Sequence, residues 1–287
     1  MDPVAEHRSS LPIPNAGLVQ RALRETLATT IWLSLVLGGI SALLAYALPR
    51  IQARFMQRQF IPPGVREFRN AVLGIEAESR SVADVAFSIA LVHPIVIALV
   101  AAHAIIVCTR ILASEVERGT VDVLLALPVT RFQLFVSETV AWLGTAVVLM
   151  ASVHVGCFVG SRFILPEYRP DFGNLAMVIG NLALVYLVIG ASGMLAAVLT
   201  DRRLWAVLAV LLLTIFTVLI NFLYTLDPAL EFTKALRPLS LLEYYKPGPI
   251  LRDGTLPLGN FAILGAAAAG MWTLAAIVLS RRDVTTL

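Results

Sequence analysis

The sequence predicts an all-α polytopic membrane protein with six transmembrane helices, and three observations carry that prediction. Only 14% of the 287 residues are charged while 58% are hydrophobic, whereas soluble domains carry about 25% charged residues. The mean hydropathy is +0.83. Six windows, 29–48, 85–109, 139–161, 173–200, 204–226 and 259–280, contain no Asp, Glu, Lys or Arg. Each reaches the length of about 20 residues that crosses the hydrocarbon layer. A charge at the centre of such a window would cost roughly 2.5–3.5 kcal/mol on insertion, so six uncharged windows read as six spans.

The chain, 1–287, reads as a single transmembrane domain. Residues 1–15 hold three prolines and no apolar period, which predicts a disordered tail. Asn15 is a helix cap for an amphipathic helix over 16–28, whose stripe Val19, Leu23 and Leu27 is expected to lie at the membrane surface with Arg21, Arg24 and Glu25 turned away. A simple extension of the first span is the alternative. Span one, 29–48, ends at Pro49, and helix is expected to continue outside the bilayer over 50–60 until "PPG" at 62–64 breaks it.

The segment 50–84 is read as external and carries six arginines. Span two, 85–109, has Pro94 near its outer end. Span three occupies 133–161, and a short polar link with Pro166 and Pro170 leads to span four, 173–200. "TDRR" at 200–203 permits only a tight antiparallel turn into span five, 204–226. Residues 227–258, also external, hold five prolines and two short helical fragments before span six, 259–280.

An even number of spans puts both termini on one side. With the termini inside, ten Lys/Arg fall inside and twelve outside, so a raw positive-inside count gives no orientation. The rule weighs charges close to span ends, and "DRR" at 201–203 and "SRRD" at 280–283 favour the cytoplasm for the termini.

The stretch "ILASEVERGTVDVLLALPVTRFQLF", 111–135, interrupts spans two and three. Thr120 can cap a helix with Asp122 in its first turn, where a negative charge suits the helix dipole. Val121, Leu124 and Leu125 form its apolar face, Pro128 stops it, and Gly119 supplies freedom for the turn before it. Thr130 and Gln133 then form a capping box that launches span three. So short a helix is not stable alone. It lies either on the membrane surface or in a partner's groove.

"E-x-E-R-G-T-x-D-x-L-L-A-L-P-V-T-R" resembles the segment after the second span of ABC-2 type permeases, the membrane subunits of one class of ATP-driven exporters. A second stretch, "RPLSLLEYYKPGPILRDG" at 237–254, resembles that family's segment before the last span, where short helices dip back toward the membrane. The resemblance implies that 113–132 is a cytoplasmic coupling segment contacting a nucleotide-binding subunit. Its residues would be Glu115, Glu117, Gly119, Thr120, Val121, Asp122, Leu124, Leu125, Pro128 and Arg131. It also implies a multi-pass protein of the cell membrane with both termini in the cytoplasm. The chain departs from the family at Glu138, where members often carry lysine, and in the length of its 50–84 segment.

A P-loop needs Gly-Lys-Ser/Thr. The only lysines are Lys234 and Lys246, preceded by Thr and Tyr. ATP and Mg²⁺ are therefore expected on a separate ATPase, this chain binding no cofactor, with a second permease chain completing the pathway. No pattern of catalytic or metal-binding residues argues for an enzyme, and a net charge of +3 spread over loops is not the footprint of a nucleic-acid binder. Glu138, Asn181 and Asn221 are candidate pathway residues, although a carboxylate at headgroup level suits Glu138 and bonds between helices suit the asparagines. His93 and His103 lie some 15 Å apart along a helix, too far to share a metal, and with His154 read best as packed neutral side chains. Cys108 and Cys157 read as small apolar groups. The rival function is an ATPase-independent carrier or membrane scaffold; a carrier would show broken spans or mid-bilayer charges.

Overall fold

A computed structural model describes residues 14–57, 82–110, 130–200, 202–226 and 231–281. Among these the chain is helical, without strands. The long helices are α1 (Ala16–Gln57), α4 (Arg131–Ser161), α5 (Phe172–Leu199), α6 (Arg203–Leu226) and α9 (Leu258–Arg281). Between them lie the pair α2 (Val82–Val92) and α3 (Pro94–Cys108), and the short helices α7 (Glu231–Leu236) and α8 (Pro247–Asp253). Among the described residues five helices are long and apolar enough to span alone, and the bent pair α2–α3 makes a sixth span when counted as one.

Helix α1 corrects the expectation of a separate interfacial helix over 16–28. Asn15 caps it as expected, its Oδ1 accepting from Gly17 N at 2.9 Å and Leu18 N at 3.3 Å. The helix then runs unbroken into the first span. Nothing between Leu27 and Ile31 stops it, and the Thr26 hydroxyl donates back to the Ala22 carbonyl at 2.8 Å, as threonines inside helices do. Val19, Leu23 and Leu27 are not its packed face. Between Leu18 and Ala45 the buried residues are Leu18, Ala22, Thr26, Thr30, Ser34, Leu37, Ser41 and Ala45, a stripe of mostly small side chains. At 42 residues and 1.5 Å per residue, α1 is about 63 Å long, twice the hydrocarbon thickness.

That stripe packs along α4. The two helices run parallel, since their contacts step from Asn15 with Ser137 to Gly38 with Ser152, then Ala42 with Gly160, then Arg50 with Phe163. Gly156 and Gly160 allow the approach, because a Cβ on either would fall onto a backbone carbonyl of α1, that of Gly38 or of Ala42. Helices in lipid gain no hydrophobic attraction for one another, so close backbone contact through small residues is what holds them.

Span two differs from its prediction. It is broken at His93 and bent by 41° between α2 and α3, so Pro94 sits at a mid-helix break rather than near a span end. Proline removes one helical hydrogen bond and clashes with the preceding turn. His93 compensates by capping α3, its Nδ1 accepting from Ile95 N at 3.3 Å.

The centre of the bundle is α5, packed against α3, α4, α6 and α9 and started by Asp171, which accepts from Asn174 N at 2.9 Å. Gly190 lies flat against the Trp142 indole and Gly193 against Cys108. The segment between α6 and α9 is tied down at several points. Arg237 grips Glu243 through two 2.7 Å bonds, Lys246 joins at 2.9 Å, and the Ser240 hydroxyl donates to the Thr217 carbonyl at 2.8 Å. Gly254 ends α8 in the left-handed region at φ 62°, the position glycine adopts without strain.

Candidate functional site

The structure brings three elements together where the chain leaves span two and where it enters span three. Arg110 follows α3 directly. Its guanidinium lies 2.8 Å from a Glu25 carboxylate oxygen on α1 and 3.8 Å from Glu138 on α4. Glu25 also takes a 2.8 Å bond from Arg21 one turn earlier. At the other exit the expected capping box is present, Gln133 N donating to Thr130 Oγ1 at 3.1 Å and Thr130 N to Gln133 Oε1 at 3.1 Å. Ser137, one turn further, accepts from Asn15 N at 2.9 Å.

The residues between those exits, 111–129, lie outside the described residues. Glu115, Glu117, Gly119, Thr120, Val121, Asp122, Leu124, Leu125 and Pro128 lie among them. Arg131 opens α4. What the geometry does provide is a frame: both exits are fastened to the first turns of α1 by ion pairs and hydrogen bonds. The Arg110 side chain is only 10% exposed, against 29% for Glu25 and 21% for Glu138. Removing one partner from a cluster this screened from water would strand the remaining charges, which costs more than losing a surface pair. Glu138, expected as a carboxylate at headgroup level, has a partner in Arg110 that no expectation named. The available signal was Arg110, the first charge after a 25-residue gap, together with Glu25 one turn after Arg21.

The three pathway candidates do not meet. Glu138 belongs to the cluster just described. Asn181 is fully buried in α5, and among the described residues neither atom of its amide has a hydrogen-bond partner, contrary to the inter-helix bond expected for it. Asn221 lines an open groove of about 570 Å³ between the broken span α2–α3 and α6, beside Pro94, Ala98, Thr214 and Phe222. Apart from Thr214 and Asn221 the residues lining it are apolar. Among the described residues one helix pair is bent in this way and no charged side chain lines the groove.

The intramembrane histidines are accommodated. His103 is fully buried, with Nε2 3.1 Å from Thr30 Oγ1 and Nδ1 3.0 Å from Tyr186 OH, a polar contact that joins α1, α3 and α5 and that no local pattern foretells. His154 packs edge-on to Phe172. Both cysteines are buried and unlinked, and among the described residues no three His, Cys, Asp or Glu side chains converge as a metal site would require.

A protein-family model described as ABC-2 family transporter protein matches residues 24–284. No match is found among curated proteins.

Proposed function

Because the chain belongs to the ABC-2 family of transporter proteins, membrane permeases of ABC transporters, we propose that it is the permease subunit of an exporter driven by a separate ATPase chain. The observation that carries the coupling part of this reading is the Glu25–Arg110–Glu138 cluster. A push on the segment 113–132 is delivered through Arg110 and the Thr130 cap to α1, α3 and α4 together. In this reading Glu115, Glu117, Gly119, Thr120, Val121, Asp122, Leu124, Leu125, Pro128 and Arg131 form the surface that the ATPase grips. ATP and Mg²⁺ belong to that partner. In this reading the groove beside Asn221 faces the lipid, one chain bounds a pathway on one side only, and a second permease chain against α6 closes it. Residues 50–84 and 227–258 lie outside the cell, and both termini face the cytoplasm of a cell-membrane protein.

The test is Leu124→Asp, expected to abolish ATPase association and ATP-coupled transport while leaving membrane insertion intact, since an unpaired charge at a protein interface is strongly unfavourable but carries no mid-bilayer penalty outside the hydrocarbon. Normal association and transport in Leu124→Asp and Gly119→Val would refute the coupling assignment. Cysteines at Arg202 and Glu167 report orientation: the first is expected to label from the cytoplasm, the second from outside.

A further inference from the structure

At the end of the bundle opposite the N-terminus, two arginines from different elements converge on one recess. Arg50, near the end of α1, and Arg162, just past the end of α4, line a pocket of about 370 Å³ together with Phe163, Leu165 and Tyr168. The recess is built rather than incidental. Arg169 reaches back to the carbonyls of Ser161, Ile164 and Arg162 at 3.1, 3.2 and 3.4 Å, fixing the loop that forms its wall. Arg50 donates to the Phe163 carbonyl at 2.7 Å and to the Tyr46 hydroxyl, with its guanidinium 4.0 Å from the Tyr46 ring centre. Arg162 lies 4.4 Å from the Phe158 ring centre.

All these partners are neutral. Among the described residues no carboxylate lines the recess and no acidic side chain pairs with Arg50 or Arg162. Two like charges held on one small recess favour an anion between them, and guanidinium forks match the geometry of phosphate oxygens. The depth of the site indicates what carries the anion. It sits at the ends of two spans, where aromatic side chains mark the membrane interface. Its rim is apolar and exposed, with Phe163 at 65% and Leu165 at 58%, a surface for the glycerol and upper acyl chain of a lipid.

We propose that the Arg50–Arg162 recess binds a phosphate group, presented by the headgroup of an anionic phospholipid at the membrane surface. With the termini in the cytoplasm this is the outer leaflet; the binding itself does not depend on that orientation or on the coupling reading. Each arginine near a charged surface contributes about fivefold in affinity, so phosphatidylglycerol should be held roughly thirtyfold more tightly than phosphatidylcholine.

The full-length chain in detergent, titrated with each lipid and read by native mass spectrometry, measures that preference. Arg162→Gln is expected to cut it about fivefold and Arg50→Gln/Arg162→Gln to abolish it, while Arg54→Gln, one turn along α1, leaves it intact. Because Arg50 also holds the Phe163 carbonyl, Arg162→Gln alone keeps the test readable if the double variant fails to fold. Inorganic phosphate added without lipid separates the sources. Phosphate binding with no lipid preference, lost in Arg162→Gln, keeps the phosphate site and assigns it to a soluble anion. Equal binding of both lipids together with no phosphate binding would overturn the proposal, as would an equal loss in Arg54→Gln.

Discussion

Replacing Gly156 with alanine tests how the bundle is held together. A Cβ at this position falls onto the carbonyl oxygen of Gly38 and 3.0 Å from the Ser41 Cβ. The principal obstacle is backbone in the middle of a helix, which cannot rotate aside as a side chain would. Relief requires α1 and α4 to separate along their length. Overpacking of this kind costs about 1–3 kcal/mol, and the unyielding contact puts Gly156→Ala at the upper end. Alanine regains about 1 kcal/mol of helix propensity over glycine, leaving a net loss of about 2 kcal/mol. For a chain of 287 residues that corresponds to a fall of roughly 3 °C in melting temperature.

Gly39 supplies the control on the facing helix. A Cβ there meets nothing within 4 Å, so Gly39→Ala should be neutral or slightly stabilising. Gly160→Ala meets the Ala42 carbonyl and should resemble Gly156→Ala. One separation of the helices relieves both clashes, so the double variant should lose less than the sum of the two single losses. Thermal unfolding of the detergent-purified protein, followed by size-exclusion chromatography, measures all four. An unchanged or raised melting temperature in Gly156→Ala would refute the account of α1–α4 contact.

Three further outcomes are expected. Arg110→Glu places a third carboxylate beside Glu25 and Glu138; it should lower ATP-coupled transport more than expression, and Glu25→Arg in the same chain should recover part of the loss, as paired transport and expression assays will show. Tyr186→Phe strips one of the two side-chain partners from the fully buried His103; double-mutant cycles on membrane helices average about 0.6 kcal/mol with a maximum near 1.7, so a loss of that size in thermal unfolding is expected and none in Thr139→Ser. The third concerns acid. Burial resists ionisation of Glu243, but the hydrogen bonds and charges of Arg237 and Lys246 outweigh it, so its pKa lies below the ordinary 4.5. A depressed pKa stabilises the fold above the unfolded value and loses that contribution as pH falls through the folded one. Melting temperature should therefore fall on acidification below about pH 4.5, and Glu243→Gln should flatten that decline.

Much of the architecture follows from the sequence alone, because the bilayer enforces it. Uncharged windows of sufficient length must be helical and must span, and both the class and the family assignment follow from those windows with the motif at 115–131. Local rules were equally legible where they act over three or four residues: Asn15 capping α1, and Thr130 with Gln133 capping α4, were read from adjacent side chains and found there. The expectation of a separate interfacial helix over 16–28 failed because no proline, glycine or cap between Leu27 and Ile31 interrupts the helix, which runs on as α1. The apolar stripe Val19, Leu23 and Leu27 did not reveal which face meets the bundle: α1 turns its small residues toward α4, since close backbone approach holds helices together in lipid.

What only the tertiary structure decided is the pairing of residues distant in sequence. Glu25, Arg110 and Glu138 lie on three elements, and no local period indicates that their charges meet. The same holds for Thr30, His103 and Tyr186, and for Arg50 and Arg162 around one recess. Charge and hydropathy fix how deep a residue sits in the bilayer. Its angular position around the bundle, and hence its neighbours, depends on which helices lie side by side, and that is set by backbone approach at positions such as Gly38, Gly156 and Gly160.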